Sequence, residues 1–122
     1  MAKHIELGKQ GEDIANEYLI KLGYKIKERN WHFNNSEIDI IATDKNQLVI
    51  VEVKTRSAAI YEEARDAISD NKIRFLVNAA EAYILEKDID TETRFDVIMI
   101  KWFGEGKYEL EHIEDAFYPF VN

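Results

Sequence analysis

The stretch that most restricts the fold runs from Ser36 to Arg56. It holds two apolar runs, Glu-Ile-Asp-Ile-Ile-Ala from Glu37 and Leu-Val-Ile-Val-Glu-Val from Leu48, on either side of Asp44-Lys45-Asn46-Gln47. β-Branched residues dominate both runs and the segment between them is polar, so residues 36–43 and 47–55 read as the two strands of a hairpin. Alternate residues of a strand share a face. Leu48, Ile50, Glu52 and Lys54 therefore point one way, and Val49, Val51 and Val53 the other. Such a strand is buried on both sides at one end and ends in charges at the other. If Asp44 and Gln47 close the hairpin, Ile41 faces Ile50, Asp39 faces Glu52 and Glu37 faces Lys54.

The remaining segments supply layers to cover that sheet. Residues 4–22 are periodic at 100° per residue, with Gly8, Gly11, Ile14, Ala15, Tyr18, Leu19 and Leu22 on one side and Lys9, Gln10, Asp13, Asn16, Glu17 and Lys21 on the other. Gly23 ends this helix. Tyr24 to Arg29 alternates apolar and basic residues, as an edge strand does. Residues 69–86 form a second amphipathic helix with Ile73, Leu76, Val77, Ala80, Tyr83 and Ile84 inward. Arg94 to Trp102 is a fourth strand, and Gly104-Glu-Gly106 turns the chain into a fifth, Lys107 to Ile113. The order is αβββαββ, a mixed α/β sheet flanked by helices. The helical crossover between the third and fourth strands lets those two run parallel, with a right-handed connection.

One proline, no Gly/Ser-rich linker and no repeat make residues 1–122 a single domain in expectation. The chain lacks cysteine. That excludes disulfides and thiolate metal sites and favours a reducing, cytoplasmic setting. No apolar run is long enough to span a membrane. The net charge of −8 disfavours a general nucleic-acid binder. Its distribution softens that objection: residues 1–56 hold nine Lys/Arg and nine Asp/Glu, whereas residues 57–122 hold seven against fifteen.

The charged end of the hairpin carries the chemistry. In the register above, Asp39 and Glu52 are opposed like charges on a largely apolar face, which costs a few tenths to about 1 kcal/mol in a bare sheet. A bound divalent cation reverses that sign. One or two carboxylates, completed by water and phosphate, suit Mg²⁺ or Mn²⁺. Lys54, on the same face as Glu52, is placed to orient a water nucleophile and to stabilise negative charge developing on a phosphodiester. The blander reading is a surface hairpin with a Glu37–Lys54 ion pair and two solvated acids.

Asp39, twelve intervening residues and then Glu52-Val53-Lys54 resemble the PD-(D/E)xK nuclease signature. The wider string is more specific. Gly8, Gly11-Glu12, Ala15, Tyr18-Leu19, Gly23-Tyr24, Arg29-Asn30, Glu37-Ile-Asp39-Ile-Ile-Ala42 and Val51-Glu-Val-Lys-Thr-Arg56 resemble the YraN family of endonuclease-like bacterial proteins. Lys72, Tyr83, Arg94-Phe-Asp-Val97 and Ala116-Phe117 extend the likeness through nearly the whole chain. Ser36 stands where that family usually has glycine, and Ile38 precedes Asp39 where the superfamily label has proline. The resemblance implies a restriction-endonuclease-like core and a Mg²⁺- or Mn²⁺-dependent nuclease acting on DNA, branched or repair-related structures included. It also implies that Glu12, at the edge of the first helix's apolar stripe, joins Asp39 and Glu52 at the metal.

Further residues have two readings each. Arg56 and Lys72 are candidate phosphate contacts or solvated charges. Trp31 and Phe33 either stack on bases or cover the sheet edge, the second being preferred. Gly8 and Gly11 let the first helix pack closely on the sheet or admit a phosphate backbone. His4, His32 and His112 have no ligand spacing and read as structural or exposed, and Asp96 as structural through Arg94 or a backbone amide. Two rival functions remain: a nucleic-acid-binding module without hydrolysis, which the intact Asp-Glu-Lys set disfavours, and a protein-interaction domain, which the acidic second half favours. Oligomeric state is left open between a monomer and a homodimer.

Overall fold

A computed structural model describes residues 2–60 and 68–117. Helix α1 (Ala2–Lys21) leads into strands β1 (Lys25–Phe33), β2 (Ser36–Asp44) and β3 (Gln47–Ser57), then a 3-10 turn at Ala58–Ile60. Helix α2 (Asp70–Lys87) and strands β4 (Glu92–Gly104) and β5 (Lys107–Ile113) follow. The strands form one mixed sheet in the order β1-β2-β3-β4-β5, antiparallel throughout except for the parallel β3–β4 pair. Pro119 lies outside the described residues, as does any description of the His4 side chain.

Each helix buries its apolar stripe on one face of the sheet. Ala15 and Leu19 of α1 are fully buried with Ile40, Ala42, Val49, Val51, Val53, Ile98 and Ile100. Leu76, Ala79, Ala80 and Tyr83 of α2 pack with Ile38, Ile41, Leu48, Ile50 and Phe95. The alternation of β3 thus divides its side chains between two cores, as its sequence requires. Leu22, expected on the buried stripe, is 52% exposed, because α1 ends at Lys21 before the next turn could bring it inward.

Local chemistry sets the ends of the elements. At the end of α1, Gly23 (φ +97°) takes the left-handed conformation, with Gly23 N donating to Ile20 O and Tyr24 N to Leu19 O. This is a Schellman motif. Helix α2 starts on Ser69, whose hydroxyl accepts from Lys72 N at 3.1 Å, and ends on Asp88 (φ +53°) in the same kind of motif. The β2–β3 hairpin closes through the Asp44–Gln47 pair, and Ile41 faces Ile50, in the register derived from sequence.

A close approach ties α1 to the sheet. A Cβ on Gly11 would overlap Thr55 Oγ1 and lie 2.9 Å from Thr55 Cβ. Glycine is therefore required where α1 crosses β3, and this contact holds Glu12 near the charged end of the hairpin. Gly8, by contrast, faces open space.

Candidate metal centre

The β2–β3 ladder stops at Ile40–Val51, one step short of the expected Asp39–Glu52 pair. The reason lies in a change of face. Ile40 packs in the α1 core and Ile38, two residues earlier, in the α2 core. Strict alternation would put both on one face, so β2 turns over at Asp39. On β1, Arg29 pairs with Ile40 and Trp31 with Ile38, which sets Asn30 across from Asp39. Asn30 has φ +52°, a left-handed conformation that asparagine tolerates better than most residues. Where the ladder ends, Asp39 Oδ2 takes over as acceptor for the Val53 amide at 2.8 Å.

This rearrangement gathers three acids. Oxygens of Glu12 from α1 and of Glu37 and Asp39 from β2 lie within 4.8 Å of one another. Asn30 Nδ2 joins two of them, donating to Glu12 Oε1 at 2.8 Å and to Glu37 Oε1 at 3.4 Å. A cleft of about 280 Å³ lined by Lys9, Glu12, Asp13, Arg29 and Asn30 opens onto this side. Glu52 also interacts with Asp39. It is 2% exposed, and its Oε1 accepts from no nitrogen or hydroxyl donor. Its Oε2 lies 3.4 Å from Lys54 Nζ and 3.7 Å from Lys72 Nζ.

The electrostatics of Asp39 follow from that crowding. Burial pushes its carboxyl up, the Glu52 carboxylate adds to the rise, the Val53 amide opposes it and Glu12 reinforces it, so that the group reaches about 8. An isolated pair of buried carboxylates is costly unless a cation or a proton relieves it. The donor set is all oxygen and strongly acidic, with one buried oxygen that accepts from no nitrogen or hydroxyl donor, which is what a hard divalent cation such as Mg²⁺ or Mn²⁺ requires. Glu12, Glu37 and Asp39 could hold such an ion, with Glu52 buried next to Asp39.

Of the residues singled out from sequence, Glu12, Asp39, Glu52, Lys54 and Lys72 come together. The expected Glu37–Lys54 pair does not form. Lys54 turns to Glu52, while Glu37 accepts from Asn30 and lies 3.6 Å from His32 Nδ1. Glu37 is the acid that sequence reasoning left out of the site, although its two-residue spacing from Asp39 was the available signal. Asn30 also went unassigned. Arg56 lies two residues beyond Lys54 on β3, with Nη1 donating to Thr55 O at 3.0 Å. Trp31 packs edge-on against Tyr83 at 5.2 Å between ring centres, as expected of a residue covering the sheet.

A further buried polar cluster, built on β4 where Arg94 pairs with Val49 and Asp96 with Val51, is structural. Arg94 clamps the fully buried Asp96 (Nε–Oδ1 2.9 Å, Nη2–Oδ2 3.0 Å) and donates to Tyr24 Oη at 2.6 Å. His112 Nε2 lies 2.8 Å from Asp96 Oδ2, and the Asp115 amide donates to Oδ1 at 3.1 Å. Burial pushes the Asp96 carboxyl up, but the hydrogen bonds from His112 and Arg94 outweigh it and hold the group below the usual carboxylate range.

The sequence profile described as Uncharacterised protein family UPF0102 matches residues 11–100, which contain every acid and both lysines of this site. The chain belongs to the UPF0102 (YraN) family. A UPF0102 protein of Flavobacterium psychrophilum is 50% identical over 121 residues, covering 98% of this chain and 100% of its own length. One from Flavobacterium johnsoniae is 49% identical over 124 residues, with 98% and 100% covered. One from Bacteroides thetaiotaomicron is 47% identical over 120 residues, with 98% of each chain covered. Among the described residues, no helix is long and apolar enough to cross a membrane.

Proposed function

We propose that this UPF0102 protein is a divalent-cation-dependent nuclease of the restriction-endonuclease-like type, hydrolysing phosphodiester bonds in DNA. The observation that carries the reading is the gathering of Glu12, Glu37 and Asp39 oxygens within 4.8 Å of one another beside the buried Glu52, whose Oε1 accepts from no nitrogen or hydroxyl donor. Purely structural acids find a partner, as Asp96 does through Arg94, His112 and the Asp115 amide.

Asp39 and Glu52 would hold Mg²⁺ or Mn²⁺, with Glu12 and Glu37 completing the acidic wall directly or through water. When bound, the cation supplies a lowered pKa for water and neutralisation of a phosphoryl oxygen. The chain's own residues do the rest. Lys54 and Lys72 converge on Glu52 Oε2, which sets two ammonium groups beside the acids. A phosphodiester brought to the acids then presents its anionic oxygens to those ammonium groups. Lys54 orients the attacking water and stabilises the charge that develops on the phosphoryl oxygens. Lys72 and Arg56 hold the flanking strand by its phosphates. The absence of cysteine fits a cytoplasmic workplace for this chemistry.

The test is cleavage of a panel of single-stranded, duplex, flap and four-way DNA with Mg²⁺ or Mn²⁺. The wild type should cut at least one member. Asp39→Asn, Glu52→Gln and Lys54→Ala, purified in parallel, should each lose about 100-fold or more of that rate, in line with loss of one preorganised catalytic group. A folded wild type that cuts none of them, or variants that cut as well as it does, would overturn the reading.

A further inference from the structure

A second cavity, of about 390 Å³, lies against the site and not in it. Phe33, Asn34, Asn35 and Ser36, at the β1–β2 turn, face Phe75 and Asn78 of α2 across it. Two chain segments connect it to the acids. Ser36 precedes Glu37, and Phe75 lies one helical turn past Lys72, the residue whose Nζ is 3.7 Å from Glu52 Oε2. Phe75 is 54% exposed, as is Leu85 (81%) near the far end of α2, while the helix's apolar stripe packs on the sheet; of the two, Phe75 lines the cavity.

The lining has a specific chemistry. It carries two aromatic rings, three carboxamides and a hydroxyl, and no charged side chain. Each carboxamide offers both donors and an acceptor, the combination that pairs with the edges of a nucleobase. The rings offer stacking, which every base accepts. A pocket for phosphate would carry lysine or arginine instead, and the volume is within the range of small-ligand pockets. The net charge of −8 points the same way, since it weakens general attraction to a phosphate backbone.

We propose that this pocket receives an unstacked nucleobase of a single strand, next to the phosphodiester held at the acids. The neighbouring phosphodiester rests on the nuclease reading; the base contact does not. The substrate class that follows is single-stranded or locally unpaired nucleic acid, because a base inside a continuous duplex reaches the pocket only by being flipped out at a cost.

The experiment is fluorescence anisotropy in chelator, with a labelled single-stranded 12-mer DNA and a blunt duplex of the same sequence. The proteins are wild type, Phe75→Ala and Phe75→Tyr. Phe75 is half exposed, so thermal melts should find all three equally folded. Wild type should bind the single strand more tightly than the duplex. Phe75→Ala should weaken the single-strand complex roughly 5- to 150-fold, the range for one base–aromatic stack, while duplex affinity changes less than twofold. Phe75→Tyr should restore binding. Equal affinity for both DNAs, or single-strand binding indifferent to Phe75→Ala, overturns the proposal; the second result is also what a pocket for a protein side chain would give. Binding in chelator is independent of hydrolysis. Phe75-dependent binding without cleavage would sink the nuclease reading alone, and cleavage without Phe75 dependence would sink the base pocket alone.

Discussion

Replacing Asp39 with asparagine keeps an oxygen acceptor for the Val53 amide but removes an ionisable group from a buried pair. In the metal-free protein the Asp39 carboxyl is raised from 3.8 to about 8, by burial first and by Glu52 second. A group raised in the folded state contributes stability at low pH and loses it as pH climbs through the window from about 4 to about 8. Each pH unit in that window withdraws up to about 1.4 kcal/mol. Over the three units from pH 5 to pH 8 we expect about 2–4 kcal/mol. Asparagine does not ionise and escapes that loss, while the other titrating groups, Asp96 included, are common to both proteins. For a chain this size 1 kcal/mol moves the Tm by roughly 3–5 °C. In chelator, the Tm advantage of Asp39→Asn over wild type should therefore widen by at least about 6 °C between pH 5 and pH 8. Scanning calorimetry at the two pH values measures both gaps. A gap independent of pH would show that the Asp39 charge is not opposed in the fold, and the reasoning about the site would fail.

The two glycines of α1 should behave oppositely. Gly8→Ala, facing open space, should stabilise by about 0.5–1 kcal/mol, whereas Gly11→Ala should destabilise by about 1–3 kcal/mol through its collision with Thr55. Urea melts measure both, and adding Thr55→Ala to Gly11→Ala should recover most of the loss. Arg56→Ala should lower the log–log salt slope of DNA binding by about one unit; an unchanged slope in an anisotropy titration would remove Arg56 from the interface.

The parts of this protein that were legible in its sequence are those fixed by local rules. Turn chemistry at Asp44-Lys45-Asn46-Gln47 and the two-residue period of β3 gave the hairpin register and divided Leu48 and Ile50 from Val49, Val51 and Val53. Gly23 marked the end of α1 because only the left-handed conformation completes its cap. That register also set Asp39 across from Glu52, although the ladder stops at Ile40–Val51 and their nearness comes by another arrangement. What stayed hidden depends on the third dimension. The change of face at Asp39 needs Asn30 on a neighbouring strand to take a positive φ, and no periodicity within β2 announces it. Glu37 shares Asp39's spacing, but that it would turn to Asn30 and Glu12 and not to Lys54 depends on how α1 and β1 lie beside β2. Strand β1 runs on to Phe33, past the predicted end at Arg29, through an irregularity between Ile26 and Glu28 that blurs its alternation. That Lys72 would reach Glu52 depends on how α2 lies across the sheet, which no spacing along the chain specifies.

The central claim is that these carboxylates form one cation site. Calorimetric titration of the chelator-treated protein with Mn²⁺ tests it most directly. The account predicts a single site in wild type, lost in Asp39→Asn, weakened about tenfold or more in Glu37→Gln as befits a ligand or its orienting neighbour, and retained in Lys54→Ala. Wild type that takes up no Mn²⁺, or Asp39→Asn that binds it as tightly as wild type, would contradict the account.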